Sequence, residues 1–343
     1  MKRRILVVLA VLCVLLLTAG FVPAQDQARQ KNPLLDKGTG EYLPPQYSGD
    51  PINPRLDRML PGAKQARNQS GLHHPPQLKG PVGPADAVVI TTQFGYKAKL
   101  WSYGLYYPAG IGVSQRGDSI YYDDDYGGYV YRDRNHSVTA IPVAPTYLHA
   151  MRLRGALYVG TGYGDIYKLD PAMGVTFAGY DIYGDDVAGL DVDTETGVVY
   201  FVTNYFDSSY EWTGLYKLPP NTTEAILLAW WYDEPAWGLA VRGSYIYVSD
   251  YYYNEVWRTD KNATGWQLYA WDLWGPTDIC FDSAGNLVVA EWDSGSVAVV
   301  KARTGQVGRI AYGFYSPYYL QLDKSDAIYL TDFDAGEIWR LWK

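Results

Sequence analysis

Ile246-Tyr-Val-Ser-Asp250, followed after a short turn by Glu255-Val-Trp-Arg258, returns near the end of the chain as Ile328-Tyr-Leu-Thr-Asp332 and Glu337-Ile-Trp-Arg340. Each copy alternates with a period of two, turns at an acid and resumes as a second alternating segment carrying a base. That is the pattern of an antiparallel hairpin with one face buried. Looser copies put unit starts near Gly110, His149, Ala188, Gly238, Thr277 and Tyr318. The spacing is about 40 residues, apart from a longer third unit, which is the period of propeller blades. A unit of this size cannot bury its own apolar face, so the copies must stack.

In the fifth unit four strands can be marked, over residues 277–282, 286–291, 296–302 and 307–312, with turns such as Asp282-Ser-Ala-Gly-Asn286 between them. The last unit stops after its third strand, and the missing fourth has a candidate upstream in Lys97-Ala-Lys-Leu-Trp-Ser-Tyr103. Pairing of the two would close the ring and leave no open sheet edge. The reading is therefore all-β: a six-bladed β-propeller of four-stranded antiparallel blades over residues 86–343, closed by an N-terminal strand that completes the last blade. The run Ala87–Thr92 is an extra strand without an assigned place.

The rest of the 343 residues differ in kind. Lys2-Arg3-Arg4 and the apolar run that follows read as a signal peptide over residues 1–24, with an uncleaved single-pass anchor as the alternative. Either places the propeller in a secreted, extracellular or periplasmic setting. Residues 25–85 hold ten of the twenty prolines and none of the twelve tryptophans, and read as a disordered linker. With +3 on the leader and +3 on the linker, the total of −8 leaves −14 on the propeller, which argues against nucleic acid as a partner. Beyond the leader, Cys280 is the one cysteine, so no internal disulfide forms.

Pro276-Thr-Asp-Ile-Cys-Phe-Asp-Ser-Ala-Gly-Asn-Leu-Val-Val-Ala-Glu291, with the strand, acid, turn, strand, base pattern above, resembles six-bladed propellers of the NHL and YWTD type and the SMP-30/gluconolactonase group. The resemblance covers roughly residues 95–343. It implies the fold, and for the lactonases a divalent cation held by acid and amide side chains at the inner strand starts. Of the matching positions, Asp278 alone is acidic, the others being Ile111, Leu148, Ala188, Trp237 and Tyr318. A calcium site needs six or more oxygens, so no metal and no cofactor are expected. The acids or amides Asp124, Asn204, Asp250, Glu291 and Asp332, and the bases Arg132, Lys168, Lys217, Arg258 and Arg340, recur blade by blade. Recurrence marks an ion pair or a turn cap, because each blade needs one, whereas a catalytic group would occur once.

With strands a to d in each blade, the b-to-c turns and d-to-a segments share one face. That face collects Tyr107, Tyr147, Tyr183, Trp231, Trp237, Trp271, Trp274, Tyr315 and Tyr318, together with Asp233 and Asp278 and with His149 at an inner strand. The opposite face reads as solvated turns and carries three Asn-x-Ser/Thr sequons, Asn135, Asn221 and Asn262; a fourth, Asn68, lies in the linker. Rings interleaved with acids suit sugars, amines or a basic peptide. The sequence shows no ordered Ser, His and Asp for nucleophilic catalysis and no phosphate loop. The expectation is an exported, non-enzymatic binding or scaffolding propeller with a glycan or protein partner. The alternative is a metal-dependent hydrolase or lactonase of the gluconolactonase kind; without a metal, Asp278 and His149 are left as an acid and base across the channel.

Overall fold

The computed structural model describes residues 90–343 except 124–127, 145, 171, 173, 182, 207–210, 233 and 234, and all of these belong to one compact unit. The leader, the linker, Asn68, Asp124 and Asp233 lie outside the described residues. Among the described residues no helix is long and apolar enough to cross a membrane.

Strands β1 (Thr91–Thr92) and β2 (Lys97–Tyr103) precede the first blade. Blade 1 is β3 to β6 (Ile111–Val113, Ser119–Asp123, Tyr129–Arg134, Ser137–Pro142), and blade 2 is β7 to β10 (Leu148–Arg154, Ala156–Thr161, Asp165–Leu169, Val175–Tyr180). Blade 3 is β11 to β14 (Asp186–Val192, Val199–Phe206, Glu211–Leu218, Ile226–Tyr232), and blade 4 is β15 to β18 (Leu239–Arg242, Tyr245–Asp250, Glu255–Asp260, Gln267–Ala270). Blade 5 is β19 to β22 (Pro276–Phe281, Leu287–Glu291, Ser296–Val300, Val307–Tyr312), and blade 6 is β23 to β25 (Pro317–Leu322, Ile328–Asp332, Glu337–Trp342) with β2 as its outer strand. The first strands of successive blades pack in ring order, and β23 returns to β3.

The ring closes where the sequence pattern puts the seam: Lys97 is registered on Trp342 and Tyr103 on Glu337. The unplaced upstream strand is also resolved, since Thr91 and Thr92 pair with Tyr312 and Ala311, making blade 5 five-stranded. Between blades the core is aliphatic and aromatic. Val256, Ile279, Leu287, Val289 and Ala298 are packed together between blades 4 and 5, and Phe314, Leu320, Leu330, Trp339 and Leu341 between blades 5 and 6. Hydroxyls tie neighbouring blades, as where Ser249 Oγ of β16 donates to Thr277 O at 2.8 Å and Thr277 Oγ1 to Pro317 O at 3.0 Å.

The recurring acids are turn caps. Asp123 accepts from Ala109 N and Gly110 N, each at 2.8 Å, and Asp332 accepts from Tyr315 N and Ser316 N at 2.8 and 2.6 Å, each tying the segment that enters its own blade. Of the recurring bases, Lys168, Arg258 and Arg340 rest on rings, and Lys217 donates to Asn262 Oδ1 at 3.4 Å. Arg258 sits 4.9 Å from the Tyr245 centroid and Arg340 5.2 Å from that of Trp342. Among the described residues the recurring acid makes an ion pair only in blade 5, Glu291 with Arg309 at 2.8 Å, and that base comes from the fourth strand, β22.

Four inner strands carry a register shift near their start: β7 between Leu148 and Met151, β11 between Val187 and Gly189, β19 between Pro276 and Ile279, and β23 between Pro317 and Leu320. A bulge inserts a residue and re-aims the side chains that follow. His149 and Arg152, three apart, would face opposite ways on a regular strand; with the bulge between them both make their hydrogen bonds with other inner strands across the axis.

Candidate functional site

Two tiers of polar groups fill the axis of the ring. In the upper tier His149, near the start of β7, lies between blades 3 and 6. Its Nδ1 is 2.7 Å from Asp186 Oδ1, and its Nε2 is hydrogen-bonded to the Tyr318 hydroxyl. A carboxylate can only accept, so Asp186 holds the imidazole proton on Nδ1 and leaves Nε2 as the acceptor of the Tyr318 proton. Burial, followed by the charges of Asp186 and Asp123, keeps the Tyr318 phenol well above its ordinary range, so it stays protonated and donates. His149 is 8 % exposed and Tyr318 7 %.

Rings wall this tier. Trp237 lies 5.9 Å from His149 and 6.0 Å from Tyr318, and Trp292 and Phe333 lie 5.6 and 5.2 Å from Tyr318. Trp237 comes from a d-to-a segment, and Trp292 and Phe333 from b-to-c turns, so the two loop classes do share a face. Tyr107 extends the wall at 5.1 Å from Phe333, on a backbone with φ of +54°. Tyr147 lies against Gly162, where an added Cβ would fall 1.8 Å from the ring, so only glycine lets that ring pack there.

The lower tier is an ionic plug. Arg152 is fully buried and donates from Nη2 to Asp278 Oδ1 at 2.9 Å, with Asp278 Oδ2 also accepting from Leu320 N at 3.0 Å. Arg154 donates to both oxygens of Asp191 at 3.0 and 3.3 Å. Gln321 binds Leu153 N at 3.0 Å and Val113 O at 3.3 Å, tying blade 6 to blades 2 and 1. Burial pushes the Asp278 acid up to about 6 against the pull of Arg152, and pushes the Cys280 thiol up to about 12.

Of the residues singled out in the sequence, His149, Trp237 and Tyr318 come together, joined by Asp186, and Tyr107 lies at the margin of the same wall. Asp278 does not work across the channel with His149; it is the counter-ion of Arg152. Trp231 is not a ligand surface but core, 1 % exposed and 5.9 Å from Trp266. Tyr183 packs edge-on against Trp212 at 5.5 Å, and Tyr147 lies 6.1 Å from Tyr163. Trp271 and Trp274 are exposed and line a separate cleft of about 700 Å³ between blades 4 and 5, with Tyr253, Asp272 and Asp293. Tyr315 is exposed. Asn135 and Asn221 occupy left-handed turn positions, φ +53° and +66°, which asparagine tolerates and which alone account for the residue type there.

No family model matches the chain, and no curated protein does. Solved structures do. A gluconolactonase from Xanthomonas campestris is 16% identical, with a TM-score of 0.60 over 76% of this chain and 97% of that one. A virginiamycin B lyase from Staphylococcus aureus, solved as a catalytically inactive His-to-Ala variant with quinupristin, is 10% identical, with a TM-score of 0.53 over 72% and 99%. A calcium-binding regucalcin from Agrobacterium tumefaciens is 10% identical, with a TM-score of 0.52 over 69% and 90%. These establish the six-bladed fold.

They also correct the expectation of a non-enzymatic binder. Propellers of this shape are named as a gluconolactonase and a lyase, so the enzymatic alternative is carried forward, though without its metal. The calcium implied by the resemblance does not fit the residues present. Among the described residues no group of three His, Cys, Asp or Glu could hold an ion, and Asp278 has its oxygens on Arg152 and Leu320 N.

Proposed function

We propose that the chain is a lactone or ester hydrolase whose acid and base are supplied by Asp186, His149 and Tyr318. The observation that carries this reading is the imidazole suspended between a carboxylate that fixes its tautomer and a phenol that can donate. Nothing else among the described residues sets an oriented base among rings. A neutral ring-bearing ester suits the wall of Trp237, Trp292 and Phe333. Its carbonyl oxygen would accept from Tyr318, releasing Nε2 of His149 to take a proton from water as the water oxygen attacks the carbonyl carbon. Collapse breaks the ring C–O bond, and the proton on Nε2 passes to the departing alkoxide to give the hydroxy acid. Asp186 holds the imidazolium formed on the way. The neighbours named as a gluconolactonase and as a lyase made inactive by a His-to-Ala change support an enzymatic reading of the ring.

The test is turnover of a panel of neutral lactones by the wild type and by His149→Gln. The expected result is a fall in kcat/KM of roughly 10²–10⁴ with an unchanged melting midpoint. Equal turnover by the variant, or no turnover of any lactone by the wild type, defeats the reading.

A further inference from the structure

The guanidinium of Arg152 stands inside a cage of oxygens. Its Nε lies 3.3 Å from Leu190 O, Nη1 2.8 Å from Leu320 O, and Nη2 3.4 Å from Leu239 O and 3.5 Å from Ile279 O. The two Asp278 oxygens are at 2.9 and 3.1 Å from Nη2, and Asp191 Oδ1 is 4.0 Å from Nε. These acceptors come from the inner strands of blades 3, 4, 5 and 6, while Arg152 comes from blade 2. Backbone carbonyls and carboxylates converging from several strands are the donor set that a hard divalent cation takes. Here an arginine fills it. Two arginines, 152 and 154, face two aspartates, 191 and 278, so the tier has no net charge left to draw in a metal ion.

We infer that Arg152 is a cation built into the chain at the axis, in place of a divalent ion, and that the propeller is thereby independent of calcium both in its stability and in the chemistry above its plug. A planar fork with five donors reaches four blades at once, which a spherical ion would do only by drawing all its ligands inward to a little over 2 Å. Burial of the ion is tolerated because each of its three nitrogens finds an oxygen and the charge is matched by Asp278. The bulge in β7 is what permits it, by letting one strand carry His149 in one tier and Arg152 in the next.

The experiment reads ion binding and melting, so its outcome does not depend on whether His149 hydrolyses lactones. Wild-type protein treated with a chelator is titrated with calcium in a calorimeter and melted with and without it; no heat and no shift in midpoint are expected. Arg152→Ala should melt lower by about 10 °C or more. Millimolar calcium or methylguanidinium should restore part of that loss, and adding Asp278→Asn should abolish the restoration. Arg152→Lys, which keeps the charge but not the fork, should melt between the two and ignore calcium. A calcium-dependent rise in the wild-type midpoint overturns the inference. So does an Arg152→Ala protein as stable as the wild type. If Arg152→Ala does not fold, the wild-type titration and Arg152→Lys decide it.

Discussion

Asp250 and Asp332 hold the same place in two copies of the repeat but are wired differently, and changing each to asparagine separates two effects of a buried carboxylate. Asp250 is registered opposite Glu255, and Asp332 opposite Glu337. In both copies the glutamate accepts from the indole two residues on, at 3.0 Å from Trp257 and 2.8 Å from Trp339. Asp332 spends both oxygens on backbone N–H groups. Asp250 Oδ1 accepts from Tyr253 N at 3.0 Å, while Oδ2 is buried with no hydrogen bond among the described residues. Burial, with the Glu255 charge adding to it, pushes the Asp250 acid up to about 7. An unfolded aspartate titrates near 4, so between about pH 4 and 7 the native protein binds the extra proton and stability falls as pH rises through that window. At about 1.4 kcal/mol per unit, the ionised form at pH 8 costs roughly 2–4 kcal/mol.

Asparagine keeps the Oδ1 acceptor and never ionises. Asp250→Asn should therefore raise the midpoint at pH 8 by about 4–16 °C, at 2–4 °C per kcal/mol, and leave it nearly unchanged at about pH 4. Burial pushes Asp332 up to about 6, so Asp332→Asn relieves a similar cost at pH 8. It also leaves one N–H of Tyr315 or Ser316 without an acceptor, at about 1–3 kcal/mol. The net is near zero at pH 8 and a loss at pH 4. Thermal melts of the three proteins across this pH range check it. Asp250→Asn melting below the wild type at pH 8, or shifted equally at both ends, refutes the reasoning.

Arg309→Ala should cost roughly 3 kcal/mol in denaturant unfolding, because it strands the fully buried Glu291 carboxylate and removes the cation from Trp274, 5.0 Å away. Cys280, 2 % exposed and with its thiol pushed up to about 12, should not react with a thiol reagent in native protein at pH 8 and should react fully in denaturant. Removal of residues 1–103 takes away β2 and exposes the edge of β25; the truncated protein should melt lower and self-associate, as read by light scattering.

Strand pairing and ring closure were legible because alternation has a period of two and each unit repeats it. The sorting of rings by face followed from meander geometry, and Trp237, Trp292, Tyr318 and Phe333 do meet. The arginine plug was not legible. Counting by twos from His149 sends Arg152 into the blade, and the bulge that reverses this leaves no mark in the sequence. Asp278 was noticed for its charge, but its partner lies 126 residues away on another blade. Trp231 stands in Ala229-Trp-Trp-Tyr232, where three rings in succession give no alternation to say which is inward; both tryptophans are buried. In blade 1 the capping bonds are made by Asp123, next to the Asp124 that the repeat points to.

The pairing of β2 with β25 joins nearly the first described strand to the last, Lys97 to Trp342. Apart from the two-residue pairing of β1 with β22, every other ladder within a blade links neighbours in sequence and can form as soon as its hairpin exists. The seam has to wait for the whole ring, and it carries the largest loop-closure entropy in the molecule. It should be the last ladder to gain protection from hydrogen exchange during refolding, which makes blade 6 the step that commits the ring.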